Sequence, residues 1–352
     1  MLENVFSRNE VSDFKIWMEW ADRYVIITHM SPDGDAIGSS LALCQFLINK
    51  GKSVSVIVPD CHPDFLNWLP GSENIISHKN EAQIAEELMY KADVICCLDF
   101  NVISRIGDMA SSFLFSKAKK IMIDHHPSPG TNWDVILSHT EASSTSELIF
   151  YFLCALGEYE NITLEIAECM YTGMMTDTGA FTYNSNNPQI FTIISHLLDK
   201  GVDKDEIYRK VYRNYSESRI RLMGFILNKK MEVFQEMSTA LITLTDKEMK
   251  KYNYENGDSE GFVNLPLQIK GIKFSVFLRE DTENRIIKVS LRSVGDIPCN
   301  IFASEYFGGG GHKNASGGEF HDTLELAVEK FHEGMKRWSK SDEECIRQLF
   351  IK

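Results

Sequence analysis

Ile121-Met122-Ile123-Asp124-His125-His126-Pro127 is the stretch on which the fold turns. Three apolar residues run straight into a carboxylate and two adjacent imidazoles, the pattern of a buried strand that releases polar side chains at its end. Open α/β sheets place their ligands beyond the carboxyl ends of their strands. Taken alone, Asp-His-His is only a moderate signal, since two neighbouring histidines can be an accident of composition. Three other strand ends carry Asp or His in the same way, so four tips together can assemble a metal site.

At 352 residues the chain is too long for one small core, and two domains are the expectation. Apolar residues make up 43% and charged residues 24%, an ordinary globular composition. There is no apolar run of the roughly 18 residues that a membrane span needs. The start, Met1-Leu2-Glu3-Asn4-Val5-Phe6-Ser7-Arg8, lacks the basic and then apolar regions of a signal peptide. The eight cysteines are scattered without a Cys-x-x-Cys pair, and read as reduced core residues of a cytoplasmic protein. A net charge of −14 argues against sequence-blind binding of long nucleic acid, which needs many Lys and Arg to neutralise phosphates. Residues 268–318 are different. Seven Lys/Arg stand there against five Asp/Glu, which marks one segment as tolerant of phosphate.

The first half alternates apolar strands with amphipathic helices, the pattern of a parallel sheet covered on both faces. Strands are expected at 24–29, 54–59, 94–99, 120–125 and 135–137. Helices are expected at 35–50, 81–92, 144–156 and 164–177, with Gly51 ending the first of them in the left-handed conformation. Polar helical segments at 208–215 and 219–234 read as a connector. A second, smaller α/β lobe follows, with strands at 239–244, 273–279 and 287–292, the last two forming a hairpin. A helix at 300–307 leads into Gly308-Gly309-Gly310-Gly311-His312, and a helix at 324–338 closes the lobe. The expected division is a catalytic domain at 1–190, a helical connector at 191–236 and a substrate-binding domain at 237–345.

The first strand runs into His29-Met30-Ser31-Pro32-Asp33-Gly34-Asp35-Ala36-Ile37-Gly38-Ser39. Pro32 and Gly34 read as the turn that lets His29, Asp33 and Asp35 converge. Asp35 alone reads equally as the N-cap of the helix beginning at Ala36, but that leaves His29 and Asp33 unexplained. Asp99 follows Val94-Ile95-Cys96-Cys97-Leu98, and Asp177 lies in Gly173-Met174-Met175-Thr176-Asp177-Thr178-Gly179. Each has a plain alternative, as a solvated loop residue or the end of a helix. Carboxylates with a minority of His and no Cys suit Mn²⁺ or Mg²⁺ rather than structural zinc. More than four ligands suggests two ions, which polarise a phosphoryl oxygen and generate hydroxide near neutral pH.

Taken in order, His29-x-x-Pro32-Asp33-Gly34-Asp35-Ala36-x-Gly38-Ser39, Asp99, Asp124-His125-His126 and Asp177-x-Gly179 resemble the four motifs of the DHH phosphoesterase superfamily. Gly308-Gly309-Gly310-Gly311-His312-x-x-Ala315-Ser316-Gly317 is similar to the glycine-rich signature of its associated C-terminal domain, with Ser316 where a second Ala is usual. The resemblance implies one metal on His29, Asp33 and Asp99, and a second on Asp35, Asp99, His125 and Asp177. It further implies that Asp124 orients His125 and that His126 faces the substrate phosphate or the hydroxide. Arg292 resembles the family's Ser-x-Arg-Ser segment. With His312 it is expected to bind the substrate's terminal phosphate beside Gly309, Gly310 and Gly311, whose backbone N–H groups can approach an anion. Arg279 and Arg105 are weaker candidates for the same task.

Length and C-terminal lobe most resemble the short-oligoribonucleotide nucleases that also act as pAp phosphatases. The expectation is therefore a two-metal enzyme, with Mn²⁺ first and Mg²⁺ second, that releases nucleoside monophosphates from short RNA. Its partners would be short RNA or small phosphorylated nucleotides and no membrane. A homodimer is implied by the resemblance alone. The alternatives are a phosphodiesterase for cyclic or linear dinucleotides, and a non-catalytic nucleotide-binding protein, which would need no full ligand set.

Overall fold

The computed structural model describes residues 5–213 and 215–338. The expected end of the second lobe at residue 345 lies outside them. The chain divides into two compact units, Met1–Asn214 and Tyr215–Lys352.

The first unit opens with α1 (Ser12–Trp20), β1 (Arg23–Ile27), α2 (Gly34–Asn49) and β2 (Ser53–Val58). β3 (Ile76–Ser77), α3 (His78–Lys91), β4 (Val94–Leu98) and α4 (Ala110–Phe115) follow. After β5 (Lys119–Asp124) and β6 (Val135–Ser138) come four helices: α5 (Thr145–Leu156), α6 (Leu164–Asp177), α7 (Pro188–Asp199) and α8 (Lys204–Tyr212). The six strands form one parallel sheet in the order β3-β2-β1-β4-β5-β6. The order reverses between β1 and β4, so their carboxyl ends open a crevice at that point.

Alternation along the strands sorts side chains to two cores. Tyr24, Ile26, Cys96, Leu98, Ile121 and Ile123 face α2, α5 and α6, whereas Val25, Ile27, Ile95, Cys97 and Met122 face α3 and α4. Cys96 and Cys97 therefore lie on opposite faces, and all seven cysteines among the described residues are free. Gly51, at φ +78°, ends α2 as its position suggested.

In the second unit, α9 (Glu217–Phe225), β7 (Met231–Phe234), β8 (Thr239–Leu244) and α10 (Asp246–Lys251) precede the hairpin of β9 (Phe274–Asp281) and β10 (Ile286–Ser293). α11 (Cys299–Phe307), β11 (Gly310–His312), β12 (Ala315–Phe320) and α12 (Leu324–Trp338) complete it. Its six-stranded sheet runs β11-β12-β10-β9-β8-β7 and is mixed, because β8 and β9 are parallel and the other pairs antiparallel. Phe302, Phe307 and Phe331 from α11 and α12 are buried on one face of this sheet against Leu241, Val276, Leu278, Val289 and Leu291.

Two segments differ from expectation. The helix read over 219–234 stops at Phe225, and after a π-turn at Ile226–Lys230 the chain pairs as β7 with β8. Lys229, Lys230, Met231 and Glu232 favour helix, but sheet pairing outweighs that weak local preference. The helices between 191 and 236 also divide between the units. Ile190, Ile193, Leu197, Ile207 and Val211 of α7 and α8 enter the first core, whereas Leu222 of α9 enters a core of the second.

Candidate metal centre

The loop after β1 is pinned from three sides. Met30 N donates to Arg105 O at 2.8 Å. Ser31 turns the backbone at φ +52°, and its N–H donates to Asp60 Oδ1 at 2.6 Å. Asp33, not Asp35, caps α2, one of its oxygens accepting from Asp35 N and Ala36 N at 3.0 Å each. Gly34 is likewise not the turn. It begins α2 and is small because a Cβ there would lie 2.3 Å from Thr176 Oγ1.

Freed from capping, the buried Asp35 carboxylate receives Thr145 N at 2.6 Å and Ser146 N at 2.8 Å, the first N–H groups of α5. Asp99 occupies the left-handed region at φ +64°, a conformation that Asp adopts more readily than most residues. Its Oδ1 accepts from Thr145 Oγ1 at 3.0 Å and its Oδ2 lies 3.2 Å from His29 Nε2. The other nitrogen, His29 Nδ1, lies 2.8 Å from Met30 O. A carbonyl can only accept, so Nδ1 carries a proton, and Nε2 is the nitrogen that faces the cluster.

His125 is also held against a backbone carbonyl through Nδ1. Its Nδ1 lies 3.3 Å from Ala142 O. Its Nε2 points among Asp99 Oδ1 and Asp177 Oδ2, both at 3.5 Å, and Asp35 Oδ2 at 4.0 Å. Asp124 does not orient His125 as expected. Its Oδ1 instead meets His126 Nδ1 at 2.7 Å, because the side chains of Asp124 and His126 leave the backbone on the same side. Arg105 Nη1 lies 3.0 Å from His126 Nε2. A guanidinium donates and a carboxylate accepts, so Nε2 is the nitrogen turned to Arg105 and Nδ1 the donor to Asp124. Arg105, grouped on sequence with the substrate-binding arginines, thus stands in the first unit against His126.

Among the described residues of the first unit taken by itself, potential ligand atoms gather in three sets within 4.8 Å: His29, Asp33 and Asp99; Asp35, His125 and Asp177; and Asp99, Asp124 and His126. Five carboxylates face three imidazoles in a mostly buried space, and Asp124 Oδ2 has no hydrogen-bond partner. Burial, then the charges of Asp99 and Asp177, push the Asp35 carboxyl well above its ordinary range. Burial opposes ionisation of Asp99 too, but the His29 hydrogen bond and the charges of His126, His29 and His125 hold it below that range. Burial disfavours the His125 imidazolium, yet Asp177, Asp99, Asp35 and Asp124 outweigh it and raise its pKa to about 9. His29 also rises, with burial and Arg105 opposed by Asp99 and Asp33. The pocket calls for positive charge. An oxygen-rich set with imidazole nitrogens, one orphaned carboxylate oxygen and no thiolate fits hard divalent cations such as Mn²⁺ or Mg²⁺.

The remaining expected residues lie in the second unit. His312 of β11 and Arg292 of β10 both pair with Ala315 of β12, so they share a sheet face with one small residue between them. Arg292 Nη1 donates to Leu291 O at 2.9 Å. Arg279 is not brought beside them. It pairs with Lys288, four residues along β10 from Arg292, and stands over the Tyr254 ring at 5.5 Å. The glycine run is an edge strand, not a linker. A Cβ on Gly309 would lie 1.9 Å from Gly317 O. Ser316, the departure from the usual motif, is buried and donates to Cys299 Sγ at 3.1 Å.

Thr145, Ser146 and Asp60 were not anticipated. The signal for the first two was present in Ser143-Ser144-Thr145-Ser146, four hydroxyl residues where a helix cap needs one. Ser144 is that cap, accepting from Glu147 N at 3.0 Å.

Residues 23–174 match the DHH family, N-terminal domain, and residues 238–341 match the DHHA1 domain. The chain is 30% identical over 313 residues to the bifunctional oligoribonuclease and PAP phosphatase NrnA of Thermus thermophilus, covering 88% of each chain. It is 26% identical over 301 residues to the Bacillus subtilis protein of the same name, covering 85% of this chain and 90% of that one. The crystal structure of an exopolyphosphatase-related protein from Bacteroides fragilis is similar at 54% identity and a TM-score of 0.91. That match covers 96% of this chain and 99% of the other.

Proposed function

The chain belongs to the DHH family, and on that premise we propose that it is a metal-dependent phosphoesterase acting on short oligoribonucleotides. Nucleoside monophosphates are its products, and pAp is a second substrate that loses a terminal phosphate. The observation that carries this reading is the convergence of His29, Asp33, Asp35, Asp99, His125 and Asp177 beyond the carboxyl ends of the sheet strands. The relatives named as bifunctional oligoribonuclease and PAP phosphatase support the substrate class.

His29, Asp33 and Asp99 would hold one divalent ion, and Asp35, His125 and Asp177 a second, with Asp99 contributing to both. When bound, such ions supply Lewis-acid polarisation of phosphoryl oxygens and activation of water. The chain's own residues do the rest. Asp124 holds the proton of His126 on Nδ1. Arg105 keeps a fixed positive charge at the edge of the cluster, where an anionic phosphate is drawn in. In the second unit Arg292 and His312 offer donors for the terminal phosphate, in the segment whose local charge is positive.

The test is product analysis on short RNAs labelled at either end, with Mn²⁺ supplied, and with pAp and a cyclic dinucleotide alongside. Mononucleotides from short RNA, inorganic phosphate from pAp and slow turnover of long RNA are expected. Hydrolysis of neither RNA nor pAp would sink the proposal. A His312→Ala variant with unchanged KM and kcat on a 5′-phosphorylated dinucleotide would remove His312 from it.

A further inference from the structure

Two of the clustered carboxylates reach the centre from different parts of the fold. Asp35 comes from the first turn of α2 and Asp99 from the tip of β4, and both are buried. Like charges so placed repel, and they hold position only if donors fix them. Thr145 donates a hydrogen bond to each of them, its N–H to Asp35 Oδ2 at 2.6 Å and its hydroxyl to Asp99 Oδ1 at 3.0 Å.

The hydroxyl is free for this because capping of α5 is done by the neighbouring Ser144. The segment is fixed in turn by Glu147, whose Oε2 accepts from Ser143 N at 2.7 Å and Ser143 Oγ at 2.6 Å. Thr145 itself is fully buried, so no water competes for Asp99 from its side. The helix terminus explains the grip on Asp35. It does not explain the bond to Asp99, which needs a β-hydroxyl at this one position.

We propose that Thr145 is a positioning residue for the metal centre, its N–H and hydroxyl setting the spacing between Asp35 and Asp99 at which both can engage cations. This rests on reading the cluster as a two-metal centre. Thr145→Val keeps shape and both backbone N–H bonds to Asp35 but leaves Asp99 Oδ1 without its donor. Thr145→Ser keeps the hydroxyl.

The experiment titrates the full-length, metal-free chain with Mn²⁺ by calorimetry and records the electron paramagnetic resonance spectrum of the loaded protein. Circular dichroism establishes that each variant is folded. Wild type and Thr145→Ser are expected to bind alike and to share a spectrum. Thr145→Val is expected to bind Mn²⁺ about 10–100-fold more weakly, the usual effect of removing a group that orients a metal ligand, with an altered spectrum. If Val prevents folding, Thr145→Ala carries the same expectation. Wild-type affinity and spectrum in a folded variant lacking the hydroxyl would overturn the positioning role and leave the metal centre standing. So would a Ser variant as weak as Val. Failure of the wild type to take up Mn²⁺ would overturn the metal-centre reading, and the role of Thr145 with it.

Discussion

Gly38 of α2 lies in backbone contact with Gly173 of α6: a Cβ on Gly38 would stand 2.9 Å from Gly173 N and 2.6 Å from Cys169 O. The contact brings together the helices that carry Asp35 and Asp177, so the geometry of the centre depends on two absent side chains.

Adding one methyl group tests this. Gly38→Ala is expected to destabilise the first unit by about 1–3 kcal/mol, the range for overpacking a tight interior. Gly173→Ala goes further, because its Cβ would fall 1.9 Å from Ser146 Oγ and 2.8 Å from Asp35 Oδ1. It should weaken Mn²⁺ uptake more than Gly38→Ala does. Urea unfolding and metal titration measure the two effects separately, and equal metal affinities in the two variants would contradict the account.

Asp99 combines its proposed ligand role with an unfavourable backbone. Asp99→Asn and Asp99→Ala should both lower turnover by about a thousandfold, since each weakens a metal-based contribution of several kcal/mol. They should differ in stability. Asn tolerates φ +64° as Asp does, whereas Ala bears strain of about 1 kcal/mol there. Unfolding free energies measured without metal decide this, and an Ala variant as stable as the Asn variant would argue against backbone strain.

The glycine hairpin of the second unit should be separable from the metal centre. Gly309→Ala forces the edge strand away from Gly317 O, at a cost of about 1–3 kcal/mol to that unit. KM for short RNA is expected to rise while Mn²⁺ affinity stays at the wild-type value. A parallel loss of metal binding would refute the separation.

Acid stability should report on Asp93. Its carboxylate accepts from the Arg23 guanidinium and from the N–H groups of Arg23 and Asp22. The guanidinium bond comes first, and although burial opposes it, the pKa falls to about 2. A depressed carboxyl pKa adds stability above the unfolded value, near 3.9, and loses it as pH falls through the folded value. Wild type should therefore exceed Asp93→Asn in urea midpoint at neutral pH. The two curves should converge between about pH 4 and pH 2. Parallel curves over that range would exclude a contribution from Asp93.

The parallel sheet was legible in sequence because each of its longer strands is an apolar run that stops at a charged or turn residue. The tips at Asp99 and Asp124 stood out for that reason. Short or glycine-rich strands were not legible. β3 has two residues, and β11 and β12 contain the glycines that strands usually avoid. None of the three carries a period-2 apolar signal.

The order of residues alone determined which side chains could take part: His29, Asp33, Asp35, Asp99, the Asp124-His125-His126 run and Asp177 are all fixed to strand or helix ends by hydrophobic pattern. Only the tertiary structure decided what each one touches. It moved the cap of α2 from Asp35 to Asp33, turned Asp124 to His126 rather than His125, and brought in Thr145. The reason is physical. Local sequence sets backbone conformation through steric preference and burial, but a hydrogen bond is chosen by whichever donor arrives within about 3 Å. For Asp35 and Asp99 that donor comes from a helix more than forty residues further along the chain.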